Sequence, residues 1–170
     1  MKKLFLFLIF IIFYSATFFS QTEQKNTIKD GLYLVDKLGN DSTQFDSLKT
    51  SEIIINFSHM FLENDKPEFT KLLIDTTEFV QLELEKLPST EHQNELKANM
   101  MLSLTKEASE NLEAFTSGHI MRKVALVVDG EAITVHKIRE AITTGELQIT
   151  RCDKNTCEQL IVKLKDNVKK

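Results

Sequence analysis

The stretch Val124–Thr150, VALVVDGEAITVHKIREAITTGELQIT, writes out most of a folding unit. Val124 to Val128 is an unbroken apolar run, the composition of a central strand. Asp129-Gly130 follows it, and a two-residue type I′ hairpin turn needs positive φ at both positions, which this pair tolerates. Ala132 to Val135 is the returning strand. Ile138, Ala141 and Ile142 share one face at helical spacing, which predicts a short helix stopped by Gly145. Leu147 and Ile149 alternate with polar residues in a further strand.

The flanks extend the pattern in both directions. Upstream, Met100, Leu102 and Leu104 alternate with Met101 and Ser103 as a strand. Thr105 then sits where a helix N-cap is needed, with Glu107 in the first turn, where the helix dipole favours a negative charge. Ala108, Leu112 and Phe115 recur at helical spacing, and Gly118 marks the helix end. Downstream, Thr156 and Gln159 have capping-box spacing and open a last helix with Leu160, Ile161, Leu164 and Val168 facing inward. The expected order is β-α-β-β-α-β-α. This is an α+β fold, a small β-sheet covered by two or three helices.

The half before residue 96 is less regular. Leu32 to Val35 reads as a weak strand, and Ser51 to Phe61 as a β-branched and aromatic one. Asn64, Asp65 and Pro67 mark a turn, after which Phe69 to Leu73 can begin a short helix. Glu78 to Leu87 alternates as a strand, with Gln81, Glu83 and Glu85 on its polar face. Pro88 to Asn94 is polar and begins with proline, so it is the expected boundary between an N-terminal α+β region (21–95) and a C-terminal domain (96–170); a long hairpin loop joining the Glu78–Leu87 strand to the next one is the alternative.

The first residues, MKKLFLFLIFIIFYSATFFSQ, combine two lysines with an apolar run too short for a spanning helix. They predict a signal peptide over residues 1–20 and an exported, periplasmic or secreted protein; an uncleaved N-terminal anchor is the alternative. No later segment has the length and apolarity to span a bilayer. The net charge moves from −4 to −6 on loss of Lys2 and Lys3. An acidic chain with no basic stripe and no Trp lacks the clustered cations that nucleic acid requires.

Chemistry-bearing residues are few. Cys152 and Cys157 are the only cysteines, and in an exported protein such a pair is expected as a disulfide. Closing so short a loop contributes roughly 2 kcal/mol on the chain-entropy estimate. A redox or metal pair is the alternative, with Cys157 activated at a helix start, but the spacing is not C-x-x-C and no further soft ligands adjoin. His59, His92, His119 and His136 show no ligand spacing, so surface or capping roles are expected and no metal or other cofactor is called for. Glu83 and Glu85 share a strand face that solvent explains better than acid–base chemistry. The chain contains no G-x-S-x-G elbow, phosphate-cradling glycine loop or H-E-x-x-H. The expectation is a non-enzymatic protein.

The order L-T-K-E-A at a helix start (Leu104–Ala108), an apolar strand ending in Asp129-Gly130, an isoleucine-bearing segment, I-T-T-G (Ile142–Gly145) and a closing I-T (Ile149-Thr150) resembles a known domain. It is similar to the head subdomain of the first periplasmic region of SecD, part of the SecDF export factor, over about residues 100–165. The chain departs from that family at His136, where a proline is usual, and at Arg151, where a glycine is usual. SecD also has several membrane spans that couple export to the proton gradient, and this chain shows none after its first residues. The resemblance implies contact with exported polypeptide, by strand addition at a free sheet edge or beside the hairpin. A structural or inhibitor-like module binding one folded partner is the alternative, and a thiol protein using Cys152 and Cys157 a third.

Overall fold

The computed structural model describes residues 28–58, 68–92, 98–152 and 154–169. The expected signal peptide lies outside them. The strands are β1 (Gly31–Gly39), β2 (Glu52–Asn56), β3 (Lys71–Gln81), β4 (Ser89–His92), β5 (Ala98–Ser103), β6 (Lys123–Val128), β7 (Glu131–Lys137) and β8 (Glu146–Cys152). The helices are α1 (Lys106–Gly118) and α2 (Lys154–Lys163). Two sheets form, ordered β2-β3-β1-β6-β7 and β4-β5-β8. Their described pairings are antiparallel along the named strands, so the α+β class expected from the sequence is the class observed.

The VALVV run is explained by two cores. Val124, Leu126 and Val128 pack with Leu32, Val80 and Ile133 against Leu112 of α1, Leu160 of α2, and Met100 and Leu102 of the smaller sheet. Ala125 and Val127 point the other way, into a second cluster with Tyr33, Val35, Ile55, Leu72 and Ala132. Alternate residues of one strand thus serve opposite faces, and neither face can be polar. The second cluster sits inside the curl of the five-stranded sheet. That curl brings the two outer strands together: Phe57, just past β2, bridges Ala132 of β7, and Ser58 N donates to Ala132 O (2.8 Å).

The hairpin turn is as expected, with φ of 53° at Asp129 and 79° at Gly130. Thr105 caps α1 by accepting from Ala108 N (3.3 Å), and Glu107 lies in its first turn. The last helix begins at Lys154, so Thr156 lies inside it and is no N-cap. Leu160 and Leu164 are buried as expected, on the face shared with Cys157.

Three expectations are corrected. No helix forms around Ile138–Ile142, so the observed C-terminal order is β-α-β-β-β-α. Ile138 instead prolongs the hairpin, donating to Arg122 O (2.9 Å) and accepting from Met121 N (2.7 Å). Ile142 N is held by Thr116 Oγ1 at 2.9 Å, which diverts the backbone donor a helix would use. So short a segment has no helical stability of its own to oppose these ties.

Secondly, Phe69 to Leu73 does not begin a helix, and the Glu78–Leu87 strand is misplaced: one strand, β3, occupies Lys71–Gln81. Leu72, Leu73 and Ile74 pair with β1 on one side and β2 on the other. The ladder then breaks, since Val35 pairs with Ile74 while Tyr33 pairs with Phe79. Asp75 Oδ1 accepts from Thr77 N (2.8 Å) and Thr77 Oγ1 (2.6 Å), fixing the kink. These bonds from Thr77, hydroxyl first, hold the Asp75 carboxyl below its usual range. The kink destroys the alternation by which a strand is recognised.

Thirdly, the expected boundary at Pro88–Asn94 is crossed by hydrogen bonding. The larger sheet takes β1, β2 and β3 from before Pro88 and β6 and β7 from after it. Leu84 likewise bridges Leu104 of the later half and Val168 at the far end, with Leu84 N donating to Asn167 O (2.8 Å).

Candidate functional site

The residues singled out by their chemistry do not converge. Cys157 is buried on the inner face of α2, while the side chain of Cys152, at the end of β8, lies outside the described ones. His59 and the side chain of His92 lie outside them too. His136 is in β7, and His119 follows α1 at its C-cap. Glu83 pairs with Lys169 (2.9 Å), and this bond, then its charge, raises the Lys169 ammonium above its ordinary value. Glu85 is exposed. Among the described residues no three His, Cys, Asp or Glu side chains gather as a metal site.

A cleft of about 510 Å³ lies where β1 starts, the β6–β7 turn closes and α2 ends. Lys29, Asp30, Gln81, Asp129, Lys163 and Asn167 line it. These groups mostly satisfy one another: Lys29 Nζ donates to Gln81 Oε1 (3.2 Å), Asp129 N to Asp30 Oδ1 (2.8 Å), and Lys163 Nζ lies 3.3 Å from Asp129 Oδ2. Such a cleft is a seam between elements whose polar groups are tied to one another.

The sheet edges are a different matter, because an edge strand offers a row of unpaired backbone groups. Four of the described strands are edges. β4 has four residues and begins directly after Pro88. β2 and β7 share their closing contact at Phe57 and Ala132. At the other end of β2, Glu52 is buried and tied to Lys49, accepting from Lys49 N (2.8 Å) and pairing with its ammonium (2.7 Å). That leaves β8, whose seven residues pair, among the described residues, on one side only, with β5.

Register fixes which backbone groups of β8 are available. Leu104 N donates to Gly145 O (2.9 Å), and Leu102 pairs with Leu147 and Met100 with Ile149. Antiparallel alternation then directs the backbone groups of Leu147 and Ile149 toward β5 and those of Glu146 and Gln148 away from it. Both outward residues have exposed side chains, whereas Ile149 is buried and Leu147 half-buried against the main core. Neither Glu146 nor Gln148 is singled out by sequence patterning, because a polar residue on a strand looks like an ordinary solvated position; only the register shows its N–H to be unpaired within the sheet.

Among curated proteins, none matches this sequence. A solved structure of SecDF, a membrane component that enhances protein export, is similar at 26% identity and a TM-score of 0.39, over 45% of this chain and 34% of that one. A second, of SecDF in a super-membrane-facing form, is similar at 18% identity and a TM-score of 0.48, over 79% of this chain and 18% of that one. This chain therefore spans about a third of the length of the first and under a fifth of the second. Residues 61–167 match the family described as SecDF, P1 head subdomain, which covers more than half of the chain and both sides of Pro88. The chain belongs to the SecDF P1 head subdomain family.

Proposed function

We propose that this chain is a non-enzymatic, exported module that binds extended polypeptide by adding it as a strand to the outer edge of β8. The observation that carries the reading is the seven-residue edge with Glu146 and Gln148 facing away from β5. Main-chain hydrogen bonds give such a site affinity with little demand on sequence, which suits a partner that is unfolded and variable. Family membership supports the same reading, since SecDF is a component that enhances protein export. In the exported setting Cys152 and Cys157 form a disulfide that staples the end of β8 to α2, so that the docking edge is held rigid; the exported protein then has no titratable thiol in denaturant.

The test is Gln148→Pro. Proline removes an N–H that is not used by β5, so it is compatible with the existing sheet but blocks a strand added outside it. Backbone NMR of the wild type with an unfolded peptide should show shifts concentrated on residues 146–152. The proline variant should keep its circular dichroism and lose those shifts. Shifts confined to the 510 Å³ cleft, or a single folded protein as the stoichiometric partner, would remove the proposal.

A further inference from the structure

The turn between α1 and β6 presents apolar side chains from an unusually well-fixed backbone. Ile120 is 42% exposed and Met121 61% exposed. His119 before them is held at both ring nitrogens, 2.7 Å from Phe115 O and 2.8 Å from Glu78 Oε2. Arg122 after them pairs with Asp36 (2.8 Å). Met121 N also donates to Ile138 O (2.7 Å), and Arg122 N to His119 O (3.0 Å). Met121 has φ of 71°, a conformation that a side chain-bearing residue enters only under constraint. The turn is therefore anchored on every side while its two apolar side chains are left in solvent.

The same end of the sheet carries an unbalanced charge. Lys123 and Lys137 are direct cross-strand partners in β6 and β7, and both are exposed. Like charges placed opposite one another destabilise an antiparallel pair. Arg139, also exposed, follows closely, and none of these three cations has an ion-pair partner among the described residues. Of the acids at this end, Asp36 is engaged by Arg122, Glu78 by His119 and Glu52 by Lys49, while Asp75, two strands away from Lys123, accepts from Thr77; Glu140 is left. This occurs in a chain whose net charge is −4.

The geometry points to an anionic lipid surface as the partner of this tip. Ile120 and Met121 enter the boundary between headgroups and acyl chains, while Lys123, Lys137 and Arg139 lie at the level of the phosphates. A polybasic surface beside a shallow apolar insertion is the combination that peripheral attachment requires. An acidic polypeptide fits less well: the tip is a convex turn, and the described clefts lie elsewhere, at Asp129–Lys163 and at Phe57–Glu131. A soft interface needs no groove. Two apolar side chains make the attachment weak and reversible, and it is independent of strand addition at β8.

The chain contains no tryptophan, so Ile120→Trp in the full chain gives a single reporter. Its emission should move to the blue with phosphatidylcholine–phosphatidylglycerol vesicles, increasingly so as the phosphatidylglycerol fraction rises. Val162→Trp, exposed on α2 beside Asp129 at the opposite end of β6, carries the same N-terminus and should not shift. Adding Lys123→Gln and Lys137→Gln to the Ile120→Trp protein should weaken partitioning by roughly fivefold per lysine. No shift of the Ile120→Trp protein, an equal shift of the Val162→Trp protein, or indifference to the lysine changes would overturn the proposal. So would a shift produced by soluble polyglutamate but not by vesicles.

Discussion

His119 ties the end of α1 to β3, its Nε2 lying 2.8 Å from Glu78 Oε2 while its Nδ1 lies 2.7 Å from Phe115 O. One partner is a backbone carbonyl and the other a carboxylate, so the ring spans two acceptors. One bond ends the helix and the other joins it to a strand distant in sequence. His119→Ala should therefore cost about 1 kcal/mol in urea titration, by loss of the helix-end bond and the cross-link together. Glu78→Ala removes only an exposed partner and should cost less. A double-mutant cycle should give a coupling of roughly 0.2–1 kcal/mol, and no coupling would show that the contact contributes nothing.

Leu126 stands inside the larger sheet, paired with Leu32 on one side and Thr134 on the other. It is 5% exposed within the main core. Leu126→Ala should destabilise the protein by about 2–5 kcal/mol, since the truncation leaves a cavity between the sheet and the helices. A loss well under about 1 kcal/mol would place the core elsewhere.

Gly145 has φ of 66°, and a Cβ built on it would lie 2.5 Å from Ser109 Oγ and 2.9 Å from Ser109 Cβ. Gly145→Ala should cost at least about 1–2 kcal/mol, from the left-handed backbone alone. Combining it with Ser109→Gly should recover the part due to the clash and leave the backbone part. Full recovery would mean that conformation is not the cost.

Tyr33 is buried, stacks on Phe79 with ring centroids 4.8 Å apart, and donates its hydroxyl to Lys29 O (2.8 Å). Burial, and then the charge of Asp30, raise its ionisation from 10.0 to about 12. The unfolded chain loses this proton first, so stability should fall as pH rises from about 10 to 12, by an amount on the order of 2–3 kcal/mol. Tyr33→Phe should flatten that slope. Absorbance at the tyrosinate band should lose its late-titrating component, leaving Tyr14.

Much of this fold is legible in residues whose pattern reports one influence at a time. The Asp129-Gly130 turn, the Thr105 cap and the alternation of Met100, Leu102 and Leu104 each follow from a local rule, and each is found. The misread segments are those where two influences compete. Ile138 and Ile142 carry a helical spacing, but bonds to Arg122 and Thr116 take their backbone groups for other purposes. Leu72 to Ile74 is an apolar run too short to distinguish helix from strand, and the Asp75 kink conceals its continuation.

The candidate sites are less legible still, because they depend on register. A regular two-residue hairpin would set Lys123 opposite His136. The shift between Leu126 and Val127 sets it opposite Lys137, and only then do two like charges meet. The outward backbone of Gln148 is equally silent in sequence, since it depends on which carbonyl Leu104 N finds.

The position of β1 bears on when this protein can fold at all. Its neighbours are β3 on one side and β6 on the other, and the β6 contacts reach from Gly31 to Val127. Pairings so distant along the chain require large loops to close before any reward is gained, which slows folding. A chain emerging from its N-terminus must therefore hold β1 half-satisfied until Val128 has appeared. During that interval the five-stranded sheet cannot close, so the same pairing that locks the finished sheet leaves the unfinished one open.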